Sequence, residues 1–430
     1  MIELNGKYTN AKIFTDNVES EAIGQILGLC NHPAFEGAKI RVMPDVHAGA
    51  GCTIGTTVIL DKKMVIPNIV GVDIGCGVLT SMFKTEAPID FKALDDFINA
   101  NIPYGMSVRE SEHKKLNPVT KSKVLDIVRD LNLGSEERHL NSIGSLGGGN
   151  HYIEIGQLED GTYALSVHTG SRNLGKKVCE YFQEKAVENV NGKADLEAEI
   201  KKTIDGLKSI GRAKAIEAEI ARLRKEFKGG KTGIPKGLEY IENDDFDMYM
   251  EYMFKCQAMA AENRRLISED ILSFLGVNPE EQFDTIHNYI EEKETENYIQ
   301  DKKGNPIKAG SEIKYIIRKG AISARYGQMV AIPLNMRDGV IIGLGKGNFE
   351  WNSSAPHGAG RLLSRSKAKE AVSLEEFEEA MEGIQTWSVN TNTLDESPQA
   401  YKPAEEIIEL VKDTIDIIAI VKPVYNFKAH

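Results

Sequence analysis

The stretch Val70-Gly71-Val72-Asp73-Ile74-Gly75-Cys76-Gly77 constrains this chain more than any other. It sets a carboxylate and a thiol three residues apart, hemmed in by glycines. Glycine admits positive φ and lets neighbouring groups come close, so Asp73 and Cys76 can aim at one point. An oxygen and a sulfur donor together suit a borderline metal such as zinc or manganese better than magnesium or calcium. A tight glycine turn around a buried cysteine is the simpler alternative. The histidines favour the metal. Of nine in the chain, five (His47, His151, His168, His287 and His357) sit within two residues of Gly, Asn or Asp in short, turn-rich settings. Neutral imidazole is the commonest protein ligand for such metals. His32, His113, His139 and His430 lie in ordinary surface-like contexts and are assigned nothing.

Composition narrows the class. The 430 residues suffice for one large domain or two to three ordinary ones. A hydrophobic share of 41% with 27% charged residues describes a soluble globular chain. The start, Met1-Ile2-Glu3-Leu4-Asn5, lacks the basic end and apolar run of a signal peptide. No apolar run is long enough to span a bilayer; even the segment from Ile415 to Val421 carries an acid. Five scattered cysteines without a CxxC pair point to a reducing, cytoplasmic setting. A net charge of -12 argues against a generic nucleic-acid binder but leaves room for a local basic groove.

Periodicity alone predicts mixed α and β structure. Val18 to Cys30, 88–101, 117–132, 244–275, Leu374 to Gly383 and Ala404 to Thr414 read as helices. Residues 45–82, His151 to Ile155, Tyr163 to Val167, 311–348 and Val421 to Phe427 read as strands and turns. Within 194–227, Leu196, Ile200, Ile204 and Leu207 make one apolar stripe, and Ile216, Ile220, Leu223 and Phe227 a second. These predict a helical hairpin with a solvated charged face, with Gly206 and Gly211 between or within its arms. The segment Lys228-Gly229-Gly230-Lys231 closes it as a loop.

Ordered motifs add to this reading. They are Met43-Pro44-Asp45-Val46-His47-Ala48-Gly49, Gly71-Val72-Asp73-Ile74-Gly75-Cys76-Gly77, and Leu146-Gly147-Gly148-Gly149-Asn150-His151-Tyr152-Ile153-Glu154. There follow Val167-His168-Thr169-Gly170-Ser171-Arg172, His287-Asn288, Arg318-Lys319-Gly320-Ala321, Gly345-Lys346-Gly347-Asn348, and Pro356-His357-Gly358-Ala359-Gly360-Arg361. Tyr401-Lys402 and Lys428 extend the series, while the middle, 176–280, matches loosely through Asn263-Arg264-Arg265. With these motifs in this order, the chain resembles the RtcB-type RNA ligases, which join RNA ends using GTP and manganese. The resemblance implies an α+β fold: a compact body of packed β-sheets surrounded by helices. It implies one catalytic domain over 1–430, and the helical hairpin read from the apolar stripes is expected as an insertion on that body, at 190–232.

The resemblance also implies roles. Two manganese ions would share Cys76, with Asp73 and His151 on one ion and His168 and His287 on the other. A bridging thiolate would offset the repulsion between two cations. His357 is the matching position for a guanylylated nucleophile, with Asp45 as its orienter. GTP contacts carry over to Asn150, Glu154, Asn288, Gly358, Ala359, Gly360, Tyr401 and Lys428. Arg172, Arg318, Lys319 and Arg361 are candidate RNA-phosphate contacts. The run Arg361, Arg365, Lys367 and Lys369 is the best local basic patch. The expected partner is RNA bearing 3′-phosphate and 5′-hydroxyl ends, with room for an activating accessory protein and none for a membrane.

One segment departs from the family. Where similar enzymes carry a serine-bearing glycine turn, this chain reads Pro333-Leu334-Asn335-Met336-Arg337-Asp338-Gly339-Val340. Asn335 can replace a serine hydrogen bond to the nucleotide; Val340 cannot replace a hydroxyl. The change suggests a relaxed preference for GTP and a branch used in RNA repair rather than tRNA splicing. Two alternatives keep the metal centre: a manganese-dependent 3′-end-capping or phosphodiesterase enzyme without ligation, and a non-catalytic RNA-binding protein. The second requires a missing ligand or nucleophile, and none is missing.

Overall fold

A computed structural model of the chain describes every residue except 210, 211, 213, 214, 228, 229, 231, 232, 301–305 and 430; at 194, 195, 295–300 and 306–310 it describes the backbone alone. Two sheets organise it. The first has six strands, in the order Ile2–Asn5, Asn10–Ile13, Lys39–His47, Ile54–Leu60, Pro306–Lys319 and Asn288–Gln300. The second has seven, in the order Glu281–Ile286, Gly77–Phe83, Tyr163–Thr169, Tyr152–Gln157, Ile415–Lys428, Val340–Gly345 and Met329–Pro333. Pairing in the second sheet is antiparallel throughout. The mixture of sheets and helices is the α+β class expected from the sequence.

A 33-residue helix, Asn243–Leu275, ties the sheets together. Its first turn carries Asp244 and Asp245, whose charges suit the positive end of the helix dipole. Phe246, Tyr249 and Met253, in its first half, pack with Tyr315, Ile317 and Ile290 of the six-stranded sheet. Ile267 and Ile271, one turn apart in its second half, pack on Ile153, Ile155, Leu165 and Val167 of the seven-stranded sheet. Burying each of these apolar side chains contributes about 1.5–3 kcal/mol. One helix therefore fixes the relative placement of the two sheets.

The expected helical hairpin is present as Lys193–Ser209 and Ile216–Glu226, with Leu223 buried and Ile200, Ile204 and Ile220 half-buried. Gly211, Lys228, Gly229, Lys231 and His430 lie outside the described residues. Several elements differ from the periodicity reading, among them strands Glu281–Ile286 and Asn288–Gln300 and helices Glu136–Asn141 and Arg365–Ala371, which it did not expect. Helix Arg172–Val190 was not expected, although Leu174, Val178, Phe182, Ala186 and Val190 form its buried stripe. The final strand begins at Ile415, not Val421, because it runs between two other strands and tolerates the exposed Asp416.

Candidate functional site

Antiparallel register brings the candidate ligands to one end of the seven-stranded sheet. Cys76 precedes the strand Gly77–Phe83, His151 precedes Tyr152–Gln157, His168 nears the end of Tyr163–Thr169, and His287 follows Glu281–Ile286. His168 lies opposite Val78 on one neighbouring strand and Tyr152 on the other. In alternating strands, starts and ends share an edge, so four distant segments meet.

The cluster is tight. Cys76 Sγ lies 3.3 Å from His168 Nε2 and 3.5 Å from His151 Nε2. His151 Nε2 lies 3.0 Å from Asp73 Oδ2. Two sets of donor atoms, Asp73–Cys76–His151 and Cys76–His168–His287, each fall within 4.8 Å. Both share the thiol. His151 and His168 each donate Nδ1–H to a backbone carbonyl, of Leu146 at 2.9 Å and Asn150 at 3.2 Å. That turns both Nε2 atoms toward the cluster, the usual outer support for a metal-binding histidine.

Electrostatics agree with a cation site. Burial holds His168 and His287 well below the usual imidazole range, so both are neutral donors. Burial, reinforced by the Asp73 charge, pushes the Cys76 thiol well above its ordinary value. Burial opposes ionisation of Asp73, but its contacts with His151 and the Cys76 thiol hold its carboxyl below the usual range. The donor set of one carboxylate, one thiol and three imidazoles fits divalent transition metals.

The long helix braces this edge. Asn263 Oδ1 accepts from Gly144 N at 2.7 Å, and its amide donates to Ser145 O and Thr169 Oγ1. Arg264 donates to Gly75 O and Thr169 O and pairs with Asp284 at 2.6 Å. Gly170 closes the packing: a Cβ there would sit 2.1 Å from Asp73 Oδ1.

His357 stands beside the cluster, its ring 4.8 Å from that of His287. Buried Asp45 accepts from His357 Nδ1 at 2.6 Å and from His357 N at 3.0 Å, so the ring presents Nε2 elsewhere. Gly360, at φ +74°, lets the following turn wrap Asp45; a Cβ there would lie 2.3 Å from Asp45 O. His47 is held at Nδ1 by Asp45 O at 2.9 Å. One pocket is lined by Asp73, Cys76, His168, His287, His357 and His47 at its floor. Asn150, Glu154, Asn288, Asn335, Gly358, Ala359, Gly360, Arg361, Tyr401 and Lys428 line the rest. Every expected GTP position therefore borders one cavity with the cluster.

Several residues sit otherwise than expected. Arg318 is fully buried, donating to Ser354, Tyr289 and Glu291. Lys319 is buried and gives its Nζ to Ala50 O and Asn68 O. Neither is presented to RNA, because sheet pairing turns both cations inward. Arg172 is partly buried and donates to Gly105 O and Ser145 Oγ beside the metal edge. His32, His113 and His139 are buried, not surface residues. His32 Nε2 donates to Leu238 O, His113 pairs with Asp270, and His139 meets Leu133 O. The expected basic run is only partly offset by acids: Arg361 and Arg365 pair with Glu396, and Arg365 and Lys369 with Asp395.

Sequence reading missed Asp395, Glu396 and Asn426. Glu396 lies under the wall, 2.7 Å from Lys428 Nζ. Asn426 sits opposite Glu154 in register and donates to its Oε2 at 2.9 Å. Burial raises the Glu154 pKa to about 8 against the pull of Asn426 and Lys428. The one available signal was an acid pair five and six residues before Tyr401, in a stretch to which periodicity assigned nothing.

These features define a class. A family model described as "tRNA-splicing ligase RtcB" matches residues 25–136 and 126–429, and the chain belongs to the RtcB-type RNA ligase family. Among its relatives, the "RNA-splicing ligase RtcB" of Escherichia coli (strain K12) is 30% identical over 437 residues, covering 96% of this chain and 95% of that protein. The "tRNA-splicing ligase RtcB" of Nanoarchaeum equitans (strain Kin4-M) is 28% identical over 470 residues, covering 90% and 87%. That of Aeropyrum pernix is 26% identical over 446 residues, covering 86% and 83%.

Proposed function

We propose that the chain is an RNA ligase joining a 3′-phosphate or 2′,3′-cyclic phosphate end to a 5′-hydroxyl end, with GTP as co-substrate and two manganese ions as cofactors. The whole of 1–430 would act as one catalytic domain, with 190–232 as an insertion. The observation that carries the reading is the Asp45–His357 pair, 2.6 Å apart, in the same cavity as a thiol-sharing metal cluster.

The chemistry follows from those atoms. His357 Nε2 attacks the α-phosphorus of GTP; the P–N bond forms, the bond to the β-phosphate oxygen breaks, and pyrophosphate leaves. Asp45, accepting from Nδ1–H, offsets the charge that grows on the ring. Any cyclic phosphate is first opened to the 3′-phosphate. An oxygen of that 3′-phosphate then takes GMP from His357. The 5′-hydroxyl attacks the activated 3′-phosphorus, and GMP leaves. Divalent ions at the Asp73–Cys76–His151–His168–His287 cluster would polarise phosphate oxygens and offset transition-state charge. No helix among the described residues is long and apolar enough to cross a membrane. All five cysteines are free and buried, which supports a reducing, cytoplasmic setting for RNA repair or tRNA splicing.

Protein incubated with GTP labelled at the α-phosphate, plus manganese, should keep the label after denaturation. The label should be lost in acid and survive base, as a phosphoramidate does. His357→Ala should abolish labelling and leave metal content unchanged. Retention of label by that variant would remove His357 as nucleophile.

A further inference from the structure

One wall of the pocket is assembled around a carboxylate that does not itself line the cavity. Glu396 ends the short helical segment Thr391–Glu396 and is 2% exposed. Its partners come from three separate pieces of chain. Oε2 accepts from Tyr401 Oη at 2.6 Å and from Lys428 Nζ at 2.7 Å. Oε1 takes Arg365 Nη1 at 2.7 Å and Arg361 Nη1 at 3.4 Å. All four partners border the cavity. Arg361 also covers the Tyr401 ring, 5.0 Å from its centroid, and Lys428 lies 5.4 Å over that of Tyr152.

Three cations and a phenol on one carboxylate are an unusual load. Burial alone would favour the neutral acid, but Lys428, Arg365 and Arg361 bring its pKa to about 2. Glu396 is therefore ionised at every working pH. Asp395 adds a second acid, paired with Arg365 at 2.6 Å and Lys369 at 3.4 Å. Four cations thus share two carboxylates, and three of the four, Arg361, Arg365 and Lys428, border the cavity while the two acids do not. A lone long side chain such as Lys428 would otherwise sample many rotamers. Anchoring it beforehand removes an entropy cost from ligand binding.

We propose that Glu396 is a positioning residue of the nucleotide site, holding Lys428, Tyr401 and the two arginines in one fixed arrangement for a purine nucleoside triphosphate. The inference rests on the nucleotide reading above. It assigns Glu396 no contact with the ligand, so its loss acts through its partners. Lys428 Nζ also donates to Asn150 O at 3.2 Å and lies over the Tyr152 ring, so its loss of Glu396 is read against those contacts.

The test is a double-mutant cycle on the full chain with manganese and GTP, reading KM for GTP and kcat of self-labelling separately. Glu396→Gln keeps the size and removes the charge. It should raise KM for GTP about tenfold, as expected for losing a charge-assisted hydrogen bond, and change kcat at saturating GTP less than about threefold. Lys428→Met should raise KM comparably, and the double variant should be no worse than the more damaged single one. Glu396→Asp, which keeps the charge at shorter reach, should fall between wild type and Glu396→Gln, and it serves if Glu396→Gln does not fold. A KM within twofold of wild type in the Glu396 variants, or fully additive effects with Lys428→Met, overturns the positioning role while leaving the nucleotide reading intact. Wild-type protein that takes up no GTP overturns both.

Discussion

The floor of the pocket gathers Asp73, Cys76, His151, His168 and His287 at one sheet edge, while its wall gathers Arg361, Arg365, Lys369 and Lys428 around Asp395 and Glu396. The floor has donors and too few cations: its buried imidazoles are neutral, and its thiol is held protonated. The wall has cations and too few carboxylates. Each surface alone is electrostatically incomplete, in opposite senses. A metal-bound anionic ligand between them would complete both, which is what a nucleotide triphosphate supplies. The comparison also separates two construction methods. The floor is built by strand register, and the wall by ion pairs across loops.

The largest effect comes from breaking the floor at its shared atom. Cys76→Ala should lose both metals, measured as metal per chain by elemental analysis. The thermal midpoint of the metal-free protein should move little, because one sulfur in a polar cluster contributes little packing. Unchanged manganese in the variant would remove the sharing role. A related expectation concerns pH. With the thiol protonated in the metal-free protein, metal uptake releases its proton. Affinity should rise about tenfold per pH unit between pH 6 and 8 for one proton released. A flat profile in metal titrations buffered across that range would show that the thiol is not a ligand.

Legibility in the sequence followed the construction method. Asp73, Cys76, His151, His168 and His287 each sit in a short motif at the end of a strand, so local pattern marked them, and register then joined them. His357 was marked in the same way, within a turn-rich motif, whereas Asp45, inside the strand Lys39–His47, was named only through the family resemblance. The wall was not legible. Its organiser, Glu396, gains meaning only from Arg361, Arg365 and Lys428, which are 35, 31 and 32 residues away. No periodicity encodes such pairing. Arg318 and Lys319 misled for a similar reason: a cation in a motif reads as a phosphate contact, and only the structure shows Glu291 and two carbonyls already holding them. Among the helices, Arg172–Val190 carried a clear stripe but followed directly on a motif, which drew attention to its first residue alone.

A smaller effect tests how the floor and wall meet. Glu154 lies between them, paired with Asn426, and its pKa is raised to about 8. The sign follows from proton counting. Between the unfolded carboxyl pKa and about 8, the folded state holds a proton that the unfolded state has lost, so stability falls as pH rises and levels off above that value. Glu154→Gln removes this term. The variant should match wild type near pH 4 and gain on it steadily toward pH 8, by at most about 5 kcal/mol at 1.36 kcal/mol per unit. Denaturant melts at pH 5, 6, 7 and 8 measure the gap. A gap that does not widen with pH would mean that Glu154 is ionised in the folded protein, paired with Lys428.

The smallest effect concerns the base. Asn335 borders the cavity, yet its side chain is largely spent on its own turn. Its Oδ1 accepts from Arg337 N at 3.0 Å and Asp338 N at 2.9 Å, and its Nδ2 donates to Asp338 Oδ2 at 2.7 Å. Val340 is buried in a strand and offers the cavity no polar group. This turn therefore has little left with which to read a base, and under the proposed nucleotide reading discrimination would fall to Glu154 and Lys428. Losing one neutral hydrogen bond to guanine costs about 1 kcal/mol, or about fivefold in affinity. ATP should accordingly support self-labelling within about tenfold of GTP at matched concentration. Asn335→Ala should lower stability by about 1 kcal/mol through the lost turn bonds and leave the GTP-to-ATP ratio within about twofold. If wild type accepts GTP alone and Asn335→Ala relaxes that choice, the turn reads the base after all. If wild type accepts GTP alone and Asn335→Ala does not change it, the selectivity resides where the floor and wall meet, at Glu154 and Lys428.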